Sequence, residues 1–317
     1  MNAPEIVVVG SLNMDLVARV ARLPVPGETV PGSDFATVPG GKGANQAVAA
    51  ARLGARTAMI GCVGDDDFGA RLRAGLEADG IECSALRTAP GMPSGVALIA
   101  VDGAGRNGIV VVPGANGELA PADVDAAERL IAGARIVVLQ LEVPIDTALH
   151  AARRARDLGR TVVLNPSPAR PLPAGLLGCV DLLVPNEIEA AALTGAPVVS
   201  VDDAIAAGRH LRAGGAGTVL VTLGAAGAVI VGADGERHAP APRVEAVDTT
   251  AAGDTFLGGL CAALVRGRGL AGAVAFGQAA AALCVTRRGA QPSIPHAREV
   301  VVDAAAGGGE TGGGDAR

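Results

Sequence analysis

Arg135-Ile136-Val137-Val138-Leu139-Gln140-Leu141, a helix-patterned run from Asp146 to Leu158, and Thr161-Val162-Val163-Leu164-Asn165 together make one β-α-β unit. Both strands are short, β-branched and apolar throughout, as strands covered on both faces of a parallel sheet are. The alternation extends in both directions. A helix from Pro121 to Gly133 precedes it; strand Asp181–Val184, helix Asn186–Leu193, helix Asp202–Ala213 and strand Thr218–Thr222 follow. Strands separated by helices of this length predict an α/β fold, a mostly parallel central sheet flanked by helices. Glu5 to Gly10 supplies one more buried strand at the N-terminus.

Polar residues stand where these strands end: Asn13 and Asp15, Gln140 and Glu142, Asn165, Asn186 with Glu187, and Thr222 with Gly224. In open parallel sheets, ligands bind outside the carboxyl ends of the strands, which share one edge. Taken singly, Asn13 and Asp15 are also ordinary turn formers. Taken with the other exits, they become candidates for hydroxyl recognition.

Two stretches do not fit the alternation. Residues 16–38 hold Pro24, Pro26, Gly27, Pro31 and Gly32 between short β-prone pieces, and residues 94–112 hold two β-branched runs around a Gly-rich turn. They predict a small second sheet, a lid over the cleft, from segments of about 14–38 and 94–114. The expected organisation is a single domain over 1–303, with a disordered Gly/Ala-rich tail over 304–317. Gly103-x-Gly105-x-x-Gly108 matches the dinucleotide fingerprint, but a β-branched run follows it where a helix is required, so it reads as a hairpin turn. Gly267-x-Gly269-x-x-Gly272 lies between helical runs. Neither supports a nicotinamide-dependent dehydrogenase.

Pro39-Gly40-Gly41-Lys42-Gly43-Ala44-Asn45-Gln46 opens an Ala-rich helix that runs to about Leu53. It departs from a Walker A loop, because position 36 is Ala and position 43 is Gly. Glycines at a helix start still bring backbone N–H groups and a lysine to a polar ligand, and Asn45 can reach a hydroxyl there.

Val247-Asp248-Thr249-Thr250-Ala251-Ala252-Gly253-Asp254-Thr255-Phe256 is entered by a β-prone run, Arg243–Val247, and left by a helix, Thr255–Arg266. Unpaired N–H groups and a partial positive charge at such a start can hold a phosphoryl anion. Asp254 can then accept the proton of a hydroxyl nucleophile, although an acid in a helix's first turn also simply complements the dipole. The helix through Gln278 to Cys284 runs into the loop Val285–Ser293, whose carbonyls and hydroxyl suit a hard cation such as K⁺ or Mg²⁺.

The chain has 317 residues, 50% hydrophobic and 18% charged, with net charge −6 and four Phe as its only aromatics. A nucleic-acid binder needs a basic face, and a single-strand binder needs stacking platforms. Both are missing. Cys62, Cys83, Cys179, Cys261 and Cys284 follow no metal or redox spacing and read as small apolar residues in a reducing compartment. No leader and no membrane-length apolar run is visible, so a cytoplasmic protein is expected.

These pieces resemble the ribokinase branch of the PfkB carbohydrate kinase family over about residues 5–300. The resemblance rests on Gly10-Ser11-Leu12-Asn13-Met14-Asp15, on Gly40 to Gln46, on Asn165-Pro166-Ser167-Pro168-Ala169-Arg170, on Pro185-Asn186-Glu187-Ile188-Glu189, on Thr222-Leu223-Gly224 and on the Asp248–Phe256 stretch. It implies transfer of the ATP γ-phosphoryl group to a sugar, with D-ribose O5 the first expectation and fructose, deoxyribose or adenosine the alternatives. A silent sugar- or nucleotide-binding protein on the same fold is the reading from another class. Asp254 would be the base, with Ala252 and Gly253 the anion hole. Asn13, Asp15, Gly41, Lys42, Gly43, Ala44, Asn45 and Glu142 would bind the sugar. Asn186, Thr222, Leu223, Gly224, Ala225, Ala226, Gly227, Gly253 and Gln278 would line the ATP site. Glu189 would hold Mg²⁺ through water. Asp248 and Ser293, with carbonyls of Thr250, Cys284, Arg287 and Gly289, would hold an activating K⁺. The small sheet would form a homodimer contact. Two departures stand out: Ala251 replaces the glycine frequent in the family, and Gln278 stands where some members carry His or Asn.

Overall fold

The computed structural model describes residues 3–302, so the expected 304–317 tail lies outside the described residues. In chain order the first elements are β1 (Ile6–Val9), β2 (Asn13–Val20), β3 (Gly32–Gly40), α1 (Lys42–Arg52), β4 (Thr57–Gly64), α2 (Asp67–Ala78) and β5 (Leu86–Ala89). Next come β6 (Gly95–Val101), β7 (Asn107–Val112), α3 (Pro121–Ala126), α4 (Glu128–Gly133), β8 (Ile136–Leu139), α5 (Ile145–Asp157), β9 (Thr161–Leu164) and β10 (Leu182–Leu183). The chain continues through α6 (Glu187–Thr194), α7 (Val201–Ala213), β11 (Thr218–Thr222), β12 (Ala228–Gly232), β13 (Gly235–Ala239), α8 (Ala252–Val265) and α9 (Leu270–Cys284).

Nine strands form one sheet in the order β13-β12-β11-β10-β9-β8-β1-β4-β5. Every pair from β5 to β11 is parallel, and β12 and β13 close one edge as an antiparallel hairpin. Alternation along β1 shows why its strand is apolar throughout. Ile6 and Val8 pack into the layer of α1, α8 and α9, whereas Val7 and Val9 pack into the layer of α5 and α7. A separate sheet, β3-β2-β6-β7, comes from the two interrupted stretches, and the 103–108 turn joins β6 to β7 as a hairpin.

Three expectations change. The helix expected over 121–133 is two helices, because bonding at Ala127 tightens to i→i+3 steps from Ala127 N–H to Val124 and from Leu130 N–H to Ala127. Arg243–Val247 is not a strand; Val244 and Val247 are exposed, and Val247 N–H instead binds the Val285 carbonyl at 2.7 Å. The elements β4, α2, β5 and the β12–β13 hairpin went unassigned in the sequence. All five cysteines are free. Among the described residues, no helix is long and apolar enough to cross a membrane.

α1 and α8 cross at close range because the residues between them are small. A Cβ added to Gly258 would stand 2.4 Å from the Ala49 methyl and 2.7 Å from the Ala50 nitrogen. Gly258→Ala is therefore expected to force the helices apart at about 1–3 kcal/mol. The melting temperature should fall, and activity should fall with it, because the N-terminal turns of both helices carry the site. A Gly258→Ala protein with wild-type stability would show that this crossing is not tightly packed.

Candidate active site

The carboxyl ends of β1, β8, β9, β10 and β11 open on one edge, and the N-termini of α1 and α8 meet there. Asp254 lies in the first turn of α8 and is 8% exposed. Two neighbouring amides of α1 hold its carboxylate: Asn45 Nδ2 donates to Oδ2 at 3.0 Å and Gln46 Nε2 to Oδ1 at 2.9 Å. The carboxylate fixes the direction of the Asn45 amide. Its nitrogen must face Asp254, so Asn45 Oδ1 is turned elsewhere, buried and without a partner. A buried acceptor left in that state costs free energy until something donates to it.

Before α8, Ala251 sits at φ 59°, the only non-glycine residue with positive φ among the described residues. That left-handed turn costs an alanine on the order of 1 kcal/mol, and it swings the chain into the helix. Of the two anion-hole amides expected from the sequence, Ala252 N–H already donates to the Thr249 carbonyl at 3.2 Å. Gly253 N–H, second in the helix, has no intrahelical acceptor. The space before Gly253 is open, since an added Cβ would meet nothing within 4 Å. A cavity of about 220 Å³ reaches this turn, lined by Lys42, Asn165, Asn186, Glu189, Thr222, Ala252, Gly253 and Asp254 among others.

Carboxylates crowd the site. Burial pushes the Asp15 carboxyl up to about 7, and the charges of Glu142 and Asp254 add to the rise. Burial works against the Lys42 ammonium, but Asp254, Glu142 and Glu189 together hold it above its ordinary value. Lys42 thus balances three acids. Glu142 Oε2 accepts Ser11 Oγ at 2.5 Å and Lys42 N–H at 3.0 Å, which ties the exit of β8 to the start of α1. Gly41, at φ 87°, makes the turn into that helix, Gly43 N–H reaches Ser11 Oγ at 3.3 Å, and Ala44 N–H reaches the Ser11 carbonyl at 2.8 Å. Asn13 is 3% exposed at the start of β2.

On the opposite side of the cavity, Asn186 caps α6 and exchanges bonds with Glu189: its Oδ1 accepts Glu189 N–H at 2.8 Å, and its own N–H donates to Glu189 Oε2 at 3.0 Å. Leu223 to Gly227 form a short 3-10 turn after β11, in which Gly224, Ala225 and Ala226 are exposed. Gln278 does not line the same cavity as Gly253. It donates to the Ala239 carbonyl at 2.8 Å and lines a second, largely apolar cavity of about 460 Å³ with Val244, Ala275, Ala279 and Ala282. Asp248, Thr250, Cys284, Gly289 and Ser293 do converge. Asp248 accepts Thr250 Oγ1 at 2.6 Å and Gly289 N–H at 2.9 Å, and the Cys284 thiol lies 3.0 Å from Ser293 Oγ. The Arg287 guanidinium turns away to Glu299 at 2.8 Å.

Four residues of the site carried no assigned role in the sequence. Gln46 bridges Asp254 and Asn165 Oδ1 with its nitrogen, and its oxygen accepts Gln140 Nε2 at 2.6 Å. Gln140 and Asn165 were visible as polar strand exits, and Gln46 within the Gly40–Gln46 stretch. Ser11 was visible only as part of a motif.

The raised Asp15 carboxyl has a measurable consequence. The native state holds this proton more tightly than the unfolded chain, whose carboxyl ionises near 3.8. The associated stability is complete below the unfolded value and is lost as pH rises to about 7. Asp15→Asn carries no such charge, so its gain in melting temperature over wild type should be larger at about pH 8 than at about pH 5. Thermal melts at both pH values check this, and an equal difference would remove Asp15 as the titrating group.

Comparisons with known proteins identify the family. A model of the pfkB family carbohydrate kinases matches residues 3–297. The chain is 42% identical over 294 residues to a ribokinase of Haemophilus influenzae, covering 93% of this chain and 96% of that protein. It is 40% identical over 292 residues to a deoxyribokinase of Salmonella typhi, covering 92% and 95%. The structure of Arabidopsis thaliana ribokinase complexed with ribose and ATP superimposes with a TM-score of 0.86 at 34% identity, over 94% of this chain and 97% of that one. A buried carboxylate at a helix N-terminus, a lysine among acids beside it, and a family match spanning nearly the whole chain lead to one conclusion: the protein belongs to the pfkB family of carbohydrate kinases.

Proposed function

We propose that the protein transfers the γ-phosphoryl group of ATP to O5 of D-ribose, with Asp254 as the base. The observation that carries this is the Asp254 carboxylate, held at 3.0 and 2.9 Å by Asn45 and Gln46 in the turn that also presents the Gly253 amide. A sugar hydroxyl placed there gives its proton to Asp254 while its oxygen attacks the γ-phosphorus. The bond from that phosphorus to the bridging oxygen breaks, and ADP leaves. Charge on the equatorial oxygens is met by Gly253 N–H, the positive end of α8 and Lys42. Asn45 Oδ1, the buried orphan acceptor, takes a hydroxyl of the same sugar. Asn13, Asp15 and Glu142 supply the remaining polar contacts. The chain has no Trp or Tyr to stack the base of a nucleoside acceptor.

Asn186, Thr222 and the Leu223–Gly227 turn would flank the phosphates and ribose of ATP, and the apolar cavity beside Gln278 would take the purine. Glu189 suits Mg²⁺ held through water. Among the described residues no three His, Cys, Asp or Glu side chains gather into a cage, and Mg²⁺ commonly relies on one carboxylate plus substrate phosphates. When bound, it offsets phosphate charge. The oxygens of Asp248, Ser293 and the Thr250 carbonyl are hard donors suited to K⁺, with the carbonyls of Cys284, Arg287 and Gly289 completing the set. Burial opposes ionisation of Asp248, but hydrogen bonds from Gly289 and Thr250 outweigh it and keep its carboxyl below the ordinary value. An ion there would stiffen the turn that carries Gly253.

The small sheet we read as a lid and as a dimer contact. Register places Asp15 with Ala97 on one face, whereas Leu98, Val110 and Phe35 fall on the other, where all three are exposed. An apolar face of this kind favours burial against a second copy. With five free thiols and ATP as donor, a reducing, ATP-supplied compartment, the cytoplasm, fits.

An acceptor panel with ATP, Mg²⁺ and K⁺ tests the reaction. D-ribose is expected to give the highest kcat/KM, and a preference for deoxyribose, fructose or adenosine would replace it. Asp254→Asn should lower kcat by on the order of 10²–10⁴-fold; a wild type that binds ribose and ATP yet turns over no faster than this variant would be a binding protein. Leu98→Lys should shift the species seen in analytical ultracentrifugation from dimer to monomer. A monomeric wild type would remove the dimer.

A further inference from the structure

We propose that Asn116 is a positioning residue for the acceptor site: one buried amide fixes the Leu12–Asn13 crossing and so sets which end of Asn13 faces the sugar. Asn116 is 1% exposed and lies in the 3-10 turn Gly114–Glu118 that follows β7. Its Oδ1 accepts Leu12 N–H at 2.8 Å, and its Nδ2 donates to the Leu12 carbonyl at 3.0 Å and to Asn13 Oδ1 at 2.8 Å. The oxygen and the nitrogen are both engaged. Leu12 needs this partner, because the large sheet's ladder ends at Val9 and the small sheet's ladder begins at Asn13. The side-chain amide pairs with the Leu12 backbone as a neighbouring strand would, where neither sheet reaches.

All four passages of the chain between the two sheets meet at this point. The Ala115 N–H, beside Asn116, binds the Pro93 carbonyl at 2.8 Å, and Gly40 pairs with Asn13 in register. Position 95 has to be glycine for the contact to exist, since an added Cβ would lie 2.2 Å from Asn116 Nδ2 and 2.3 Å from Asn13 Oδ1.

The consequence for recognition is directional. Asn116 occupies the Asn13 oxygen, so Asn13 Nδ2 is the end left for a ligand, and it offers a donor to a sugar oxygen. Without Asn116 the Asn13 amide can turn over and present its oxygen instead. In sequence, 103 positions separate the two residues.

This role rests on the reading of Asn13 as an acceptor-binding residue, and the test separates the two. Steady-state kinetics would use the sugar that the wild type phosphorylates best, with Asn116→Ala, Asn13→Ala and the double variant. Asn116→Ala is expected to raise KM for the sugar by on the order of tenfold, with KM for ATP changed by less than about twofold. Added to Asn13→Ala, it should raise KM no further, because both changes remove one interaction. Asn116→Asp has the same shape and still accepts from Leu12, but lacks the donor; it should reproduce the KM effect if the alanine variant does not fold. An unchanged sugar KM in a folded variant, or effects that multiply in the double variant, would overturn the role of Asn116 while the wild type remains a sugar kinase. A wild type that phosphorylates no sugar would instead remove the acceptor reading, and this role with it.

Discussion

Everything in the site depends on how closely α1 and α8 approach. Two short amides, Asn45 and Gln46, reach the Asp254 carboxylate only because Gly258 lets α8 lie against Ala49 and Ala50 of α1. Larger residues at the crossing would move the helix starts apart by more than a hydrogen bond tolerates. Alanine and glycine make up about half of α1 and α8, whereas the strands of the large sheet supply the bulkier Val, Ile and Leu.

Charge is the second constraint. Glu142, Glu189 and Asp254 surround one lysine, and Asp15 stands within reach of two of these acids, in a buried edge where like charges are poorly screened. The rise of Asp15 to about 7 marks a cost of this arrangement to folding at neutral pH. The same holds for the orphan Asn45 oxygen and for the left-handed Ala251. Unfavourable features gathered at one place are consistent with a site whose polar groups are completed by a ligand.

The fold was legible because its signals are local. β-branched runs, helix-length spacers and polar residues at strand ends each occupy a few consecutive positions. Asp254, Lys42, Asn45 and Glu142 could be named because each stands at the end of such an element. Arg243–Val247 misled for the same reason: β propensity describes a residue's fitness for a sheet, and this segment pairs with no strand of either sheet. Gln278, expected in the ATP site, binds the Ala239 carbonyl and lines a cavity separate from the one at Gly253, a division that no local signal marks.

The sequence by itself determined the α/β architecture, the edge of the sheet that bears the polar groups, and the family resemblance. Those follow from periodicity and short motifs. The tertiary structure decided which polar groups are partnered: Gln46 between Asp254, Asn165 and Gln140, and Asn116 on Leu12 and Asn13. These contacts join residues about a hundred or more positions apart in most cases. A hydrogen bond is set by distance and direction in space, and the one-dimensional pattern of the chain carries no trace of either.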